Sequence, residues 1–158
     1  MSGATDWGQL ALDIHVAAQT RAPVLISAPP DCAENVARAI AAFSSVSKGP
    51  DVVVCDCAGG DSPVAAVASA RATRGANAEQ MTLLLREVHE LGEADQSEMA
   101  RAVCPPGGAE WTNAPRIIAT TSVSLFDRVR SGRFDARLFY RLNILHIIVN
   151  GEGHAPRD

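Results

Sequence analysis

Short continuous apolar runs alternate with segments of helical spacing along the chain. Val24, Leu25 and Ile26 form one such run, as a parallel strand covered on both faces requires. Pro29 and Pro30 end it, because proline has no N–H to give to a ladder. Asp31 stands three residues before Glu34, a capping-box spacing that predicts a helix start. That helix is expected to bury Val36, Ala39, Ile40 and Phe43. Upstream, Asp6 to Gln19 predict a helix with Leu10, Leu12, Ile14, Val16 and Ala17 as its apolar positions. Further strands are predicted over 51–57, 82–88, 116–121 and 145–149. Helices are predicted from Ser62-Pro63 (an N-cap/N1 pair) to near Gly75, and over 96–103, 125–130 and 134–142. Gly59-Gly60 and Gly132 read as stops. Residues 44–50 read as a polar connector and 104–108 as a loop. Strands alternating with helices predict a parallel five-stranded sheet with helices on both faces. The expectation is one domain over residues 1–150 and a frayed tail over 151–158.

Composition narrows the picture. With 158 residues, 47 % hydrophobic and 20 % charged, the chain reads as one globular domain with a proper core. Fourteen basic against eighteen acidic residues give a net charge of −4, which argues against a general nucleic-acid or anionic-membrane surface. The longest apolar run, Ile144 to Val149, is too short to span a bilayer and contains His146. The N-terminal residues lack the basic and apolar regions of a signal peptide. A cytoplasmic location follows as the expectation, with the four cysteines reduced. Lys48 is the one lysine in the chain, so a site that needs lysine elsewhere has no source.

From Thr82 onward the residues become specific. Thr82 to Leu91 resembles GTLFLDEIGEL, the Walker B segment of the sigma-54-dependent transcription activators, a branch of the AAA+ ATPases. Arg116 to Ser122 resembles their sensor I segment RIIAATN. Gly132 to Ile144 resembles GRFREDLYYRLNV. Val24 to Ile40 is similar to the flanks of their Walker A, VLITGESGTGKELVARAI, and Val52 to Ala58 to their strand ending in NCA. The matches run in order and cover most of Val24 to Ile148. They imply a three-layer P-loop NTPase-like AAA+ core. The family's C-terminal helical lid has no counterpart after Asn150, and its GAFTGA loop has none between Cys57 and Met81.

The departures fall on the chemistry. A phosphate loop needs glycines, so that successive N–H groups wrap the phosphates, and a lysine for the β/γ-phosphates. Here Ala28, Pro29, Pro30, Asp31, Cys32, Ala33 and Glu34 occupy that place, one residue shorter than the family's loop. Ala33 stands where the lysine belongs, and Asp31 and Glu34 put negative charge where a helix N-terminus otherwise attracts phosphate. Arg86 replaces the Walker B aspartate. Glu87 matches the catalytic glutamate and is expected to pair with Arg86. Asp135 replaces the first arginine finger. Arg141 matches the second and is expected to bridge Asp135 or Asp127. Sensor I keeps Thr121, but Ser122 replaces its asparagine. Glu87, Thr121 and Arg141 are therefore vestigial catalytic positions by this resemblance.

Other candidates read more plainly. Cys55 and Cys57 alternate on one strand and suit buried thiols better than a metal pair. Cys104 reads as a loop thiol. His15, His89, His146 and His154 show no ligand spacing. Ser27, Ser62 and Ser124 show no nucleophile-elbow pattern. Trp7 and Trp111 are loop anchors or partner contacts. The resulting expectation is a catalytically inactive bacterial AAA+ core. It works in transcription or signalling through protein contacts, with no cofactor, metal or direct DNA contact, and self-associates through the Arg141 face. One alternative is weak Mg-ATP binding. Another is a small-ligand or hydrolytic site at the C-terminal edge of the sheet, built from Glu87, His89 and Thr121.

Overall fold

The computed structural model describes residues 6–43, 52–74, 81–103 and 115–149. Its elements are α1 (Trp7–Ala18), β1 (Val24–Ser27), α2 (Pro30–Ala42), β2 (Val52–Asp56), α3 (Pro63–Arg74) and β3 (Thr82–Arg86). They continue with α4 (Glu93–Val103), β4 (Arg116–Thr121), α5 (Leu125–Arg130), α6 (Ala136–Leu142) and β5 (Leu145–Ile148). The strands form a parallel five-stranded sheet in the order β2-β3-β4-β1-β5. The predicted sheet is thus present, and all five strand ends that carry loops toward a site lie along one edge.

Alternation along the strands divides the core. Leu25, Leu83, Leu85, Ile117 and Ala119 face a cluster with α3, α4 and α6, which includes Val67, Met99, Leu138 and Leu142. Val24, Ile26, Leu84 and Ile118 face the other cluster, where α1 and α2 supply Leu10, Ala17, Val36 and Ile40. Residues one apart point to opposite faces. Continuous leucine and isoleucine runs therefore fill both layers, which explains why the strands read as unbroken apolar stretches.

Caps set several boundaries. Asp6 accepts the Gln9 N–H (3.0 Å), Ser62 that of Ala65 (3.2 Å), Ser124 that of Asp127 (3.2 Å) and Asp135 that of Leu138 (3.1 Å). The Asp135 cap starts α6 at Ala136, two residues later than periodicity predicts. Conversely α4 begins at Glu93, three residues before the predicted Gln96, with Glu93 and Asp95 in its first turn favoured by the helix dipole. Gln96 is buried inside it. It donates to the carbonyls of Leu91 (2.9 Å) and Arg133 (3.1 Å) and accepts the Asp135 N–H (2.7 Å), tying α4 to the entry of α6.

Some apolar expectations fail. Phe43 caps the end of α2 and is 68 % exposed, because the helix finishes before its ring can turn inward. Ala33 and Ala37 are buried in its stead. On α1, Leu12 and Val16 face outward, since Leu10, Ile14 and Ala17 already define the covered stripe. Among the described residues, no helix is long and apolar enough to cross a membrane. The predicted connector 44–50, the loop 104–108, Trp111 and the tail 151–158 lie outside the described residues.

Candidate functional site

The turn from β1 into α2 holds the residues that the family resemblance sets at a phosphate loop, Ala28 to Glu34. Ser27 ends the strand, and the Ala28 N–H donates to the Thr121 carbonyl (3.1 Å), which fixes the turn against β4. Pro29 is the N-cap and Pro30 the first helical residue. Pro29 offers its carbonyl to the Ala33 N–H (2.8 Å) but has no side chain to cap with. Asp31 lies inside the first turn, exposed, and Cys32 is half-buried. The capping-box expectation is therefore wrong: the helix begins two residues too early for Asp31 to cap it.

Glu34 does something else. Its carboxylate turns toward the end of β3, where Arg86 donates to it through Nε (2.6 Å) and Nη2 (2.7 Å). Arg38, one turn along α2, donates a further bond (2.9 Å). The Arg86 fork meets both carboxylate oxygens, the geometry that makes such pairs directional. Its hydrogen bonds hold the Glu34 carboxyl below the usual carboxylate range, and Glu34 in turn raises Arg86. Arg86 thus pairs with Glu34 and not with Glu87 as expected. The reason is local: Glu87 leaves the strand in a left-handed conformation (φ 51°), which swings its side chain away from Arg86.

Glu87 is held by β4. Its N–H donates to the Thr120 hydroxyl (3.1 Å), and the Ser122 hydroxyl donates to its Oε2 (2.7 Å). Its Oε1 is buried without a hydrogen-bond partner among the described residues. Thr121 is fully buried, donates to the Val123 carbonyl (2.9 Å) and lies 3.0 Å from His89 Nδ1. The Thr121 hydrogen is committed to Val123, so Nδ1 must carry the hydrogen of the His89 contact. His89 Nε2 lies 3.2 Å from Glu90 and 3.9 Å from Glu87. The structure therefore assembles Glu87, His89, Thr121 and Ser122 into one polar cluster at the strand ends.

Arg141 stands apart. It is exposed on α6, without an ion pair among the described residues. Asp135 is already used by the Leu138 N–H and lies 3.6 Å from Arg137. The expected bridge to Asp135 or Asp127 is absent.

Cys55 and Cys57 are buried in one apolar cluster. The Cys57 thiol faces the Cys55 carbonyl (3.9 Å), and the neighbouring Cys55 and burial push it up. Among the described residues no group of three metal-ligating side chains converges. His15 is exposed on α1, while Cys104 and His154 lie outside the described residues.

A groove of about 910 Å³ opens at the C-terminal edge between β1, β4, β5, α5 and α6. Of the edge-site candidates Glu87, His89 and Thr121, only Thr121 lines it; Ser27, Asn143 and His146 do as well. The Ser27 hydroxyl lies 2.7 Å from His146 Nε2. Neither this pair nor the Glu34–Arg86 bridge was visible in sequence spacing. Both depend on which strands lie side by side.

Three kinds of comparison bear on this geometry. NtrX from Brucella abortus, solved with ADP, superposes with a TM-score of 0.73 at 26 % identity, covering 96 % of this chain and 38 % of that one. Its ATP complex gives 0.71 and 27 %, over the same shares. This chain thus spans well under half of NtrX. The P-loop NTPase domain of the sigma-54 transport activator from E. coli gives 0.63 at 17 % identity, over 84 % of this chain and 99 % of that domain, a likeness of fold. No match is found among the curated proteins. The sequence pattern of the sigma-54 interaction domain matches residues 3–151, so the chain belongs to that family and carries its AAA+ P-loop NTPase fold.

Proposed function

We propose that this domain works in transcription regulation as a pseudo-ATPase, through protein contacts and without turnover of nucleotide. The observation that carries the reading is the Glu34 bridge to Arg86 and Arg38. In a P-loop site, helix N–H groups and a lysine hold the phosphates, and an acidic strand end holds the metal. Here the helix start carries the anion itself and the strand end carries the cation. Each neutralises the other, so a phosphate approaching this turn meets Asp31, Glu34 and two prolines that offer no N–H. A magnesium ion approaching β3 meets a guanidinium. Glu87 keeps a catalytic glutamate's place, while Arg86 before it stands where the resemblance sets the metal-side aspartate.

The partner is proposed to be a protein of the transcription machinery or a related AAA+ subunit, in a bacterial cytoplasm, with no direct DNA contact. Phosphate release from Mg-ATP tests the reading. The expected result is no turnover above buffer. Magnesium-dependent turnover that Glu87→Gln removes would overturn it.

A second reading is supported by Arg141, exposed and unpaired among the described residues. In it, Arg141 reaches a neighbouring competent subunit's nucleotide in trans. Mixing the domain with an active relative such as NtrX then changes the relative's ATPase rate, and Arg141→Ala removes the change. A strictly monomeric elution of the mixture, with no change in rate, rules this reading out.

A further inference from the structure

We propose that Ser27 and His146 form a nucleophile–base pair that takes the acyl group of small hydrophobic esters in the groove at the C-terminal edge of the sheet. Ser27 is the last residue of β1, where the chain leaves the sheet for α2. His146 lies on β5, the parallel neighbour. The register sets Leu25 beside His146 and Ser27 beside Ile148, so the two side chains meet diagonally on one face. Their heavy atoms are 2.7 Å apart, within reach for proton transfer.

The imidazole is suited to accept that proton. His146 is exposed overall, but partial burial shifts it below its ordinary range, toward the neutral form that can accept a proton. In the tautomer with hydrogen on Nδ1, Nε2 receives the Ser27 hydrogen bond. The groove supplies the rest of a site. Leu25, Val123, Phe126, Phe139, Tyr140 and Ile148 give it apolar walls that suit an acyl chain or an aryl leaving group. Asn143 also lines it, with a buried carboxamide oxygen that has no hydrogen-bond partner among the described residues. Its carboxamide carries two N–H groups, donors of the kind a developing oxyanion needs.

In the step, the Ser27 oxygen bonds to the ester carbonyl carbon while its proton passes to His146 Nε2. The bond to the leaving alcohol breaks, and the alcohol departs with that proton. Water then attacks acyl-Ser27, gives a proton to His146, and the freed Ser27 oxygen takes it back as the carboxylic acid leaves. Among the described residues no carboxylate is bonded to His146, so the pair is a dyad and its turnover should be slow compared with a triad. Neither Glu34 nor Arg86 lines this groove, so the proposal stands independently of the nucleotide question.

The test uses the full chain and a fluorophosphonate probe, from which a serine oxygen displaces fluoride, followed by peptide mass spectrometry. The expected result is one adduct, on Ser27. It is absent in Ser27→Ala, and p-nitrophenyl butyrate hydrolysis falls at least about tenfold in both Ser27→Ala and His146→Asn, with thermal melts confirming folded variants. An adduct on another residue, no adduct, or unchanged ester hydrolysis in folded Ser27→Ala overturns the proposal. The labelling site in the unaltered protein decides the matter even if a variant fails to fold.

Discussion

Glu34 receives bonds from Arg86 and Arg38 at the start of α2, and replacing it tests the bridge. Charge-assisted bonds of this kind contribute roughly 1.5–3 kcal/mol when protected. The Arg86 side chain is 40 % exposed, so solvent screening reduces the value. Glu34→Gln is expected to cost about 1 kcal/mol at pH 7 by urea denaturation. The sign with pH follows from the depressed carboxyl. Its folded pKa lies below the ordinary 4.5, so its stabilisation is complete above that value and is lost as pH falls through the lower folded pKa. The gap between the unaltered protein and the variant should therefore shrink between pH 5 and pH 3. A constant gap would mean that charge is not its source. The sequence showed Asp31 and Glu34 as charges at a helix start, and that much was right. It did not show that Glu34 leaves the cap and reaches a strand 52 residues away, because the partner is chosen by sheet order and not by spacing.

At the level of elements, the turn between α5 and α6 depends on Gly132 (φ 78°), a conformation that side chains with a Cβ rarely adopt. No atom lies within 4 Å of an added Cβ, so Gly132→Ala should show the backbone cost alone. We expect about 1 kcal/mol of destabilisation by thermal or urea unfolding. Equal stability would show that the turn relaxes. This glycine and the boundaries of β4 and α5 were legible, since a stop residue and a short run rich in β-branched residues are local signals. The start of α4 was not: Gly92 to Gln96 is polar by sequence. Burial of Gln96 becomes intelligible only once Leu91, Arg133 and Asp135 stand around it.

Across the whole molecule, the two apolar layers on either side of the sheet hold the fold, and helix faces differ sharply in what they contribute. Leu138 is fully buried between α6 and the sheet, whereas Leu12 on α1 is 59 % exposed. Leu138→Ala should cost about 2–5 kcal/mol and Leu12→Ala under about 0.5 kcal/mol, both by urea denaturation. Comparable losses would mean that α1 is covered by something beyond the described residues. Fold and family were legible because segments that pack the core keep the family's pattern in order. The site was harder to read, because its pairings join residues far apart in the chain.

Isothermal titration with Mg-ATP and Mg-ADP tests the central claim most directly. With Glu34 and Arg86 neutralising each other where phosphate and metal would bind, no saturable heat is expected up to about millimolar nucleotide, where binding is worth only about 4 kcal/mol. Saturable binding at micromolar nucleotide, abolished by Glu87→Gln or Thr121→Ala in folded protein, would contradict it.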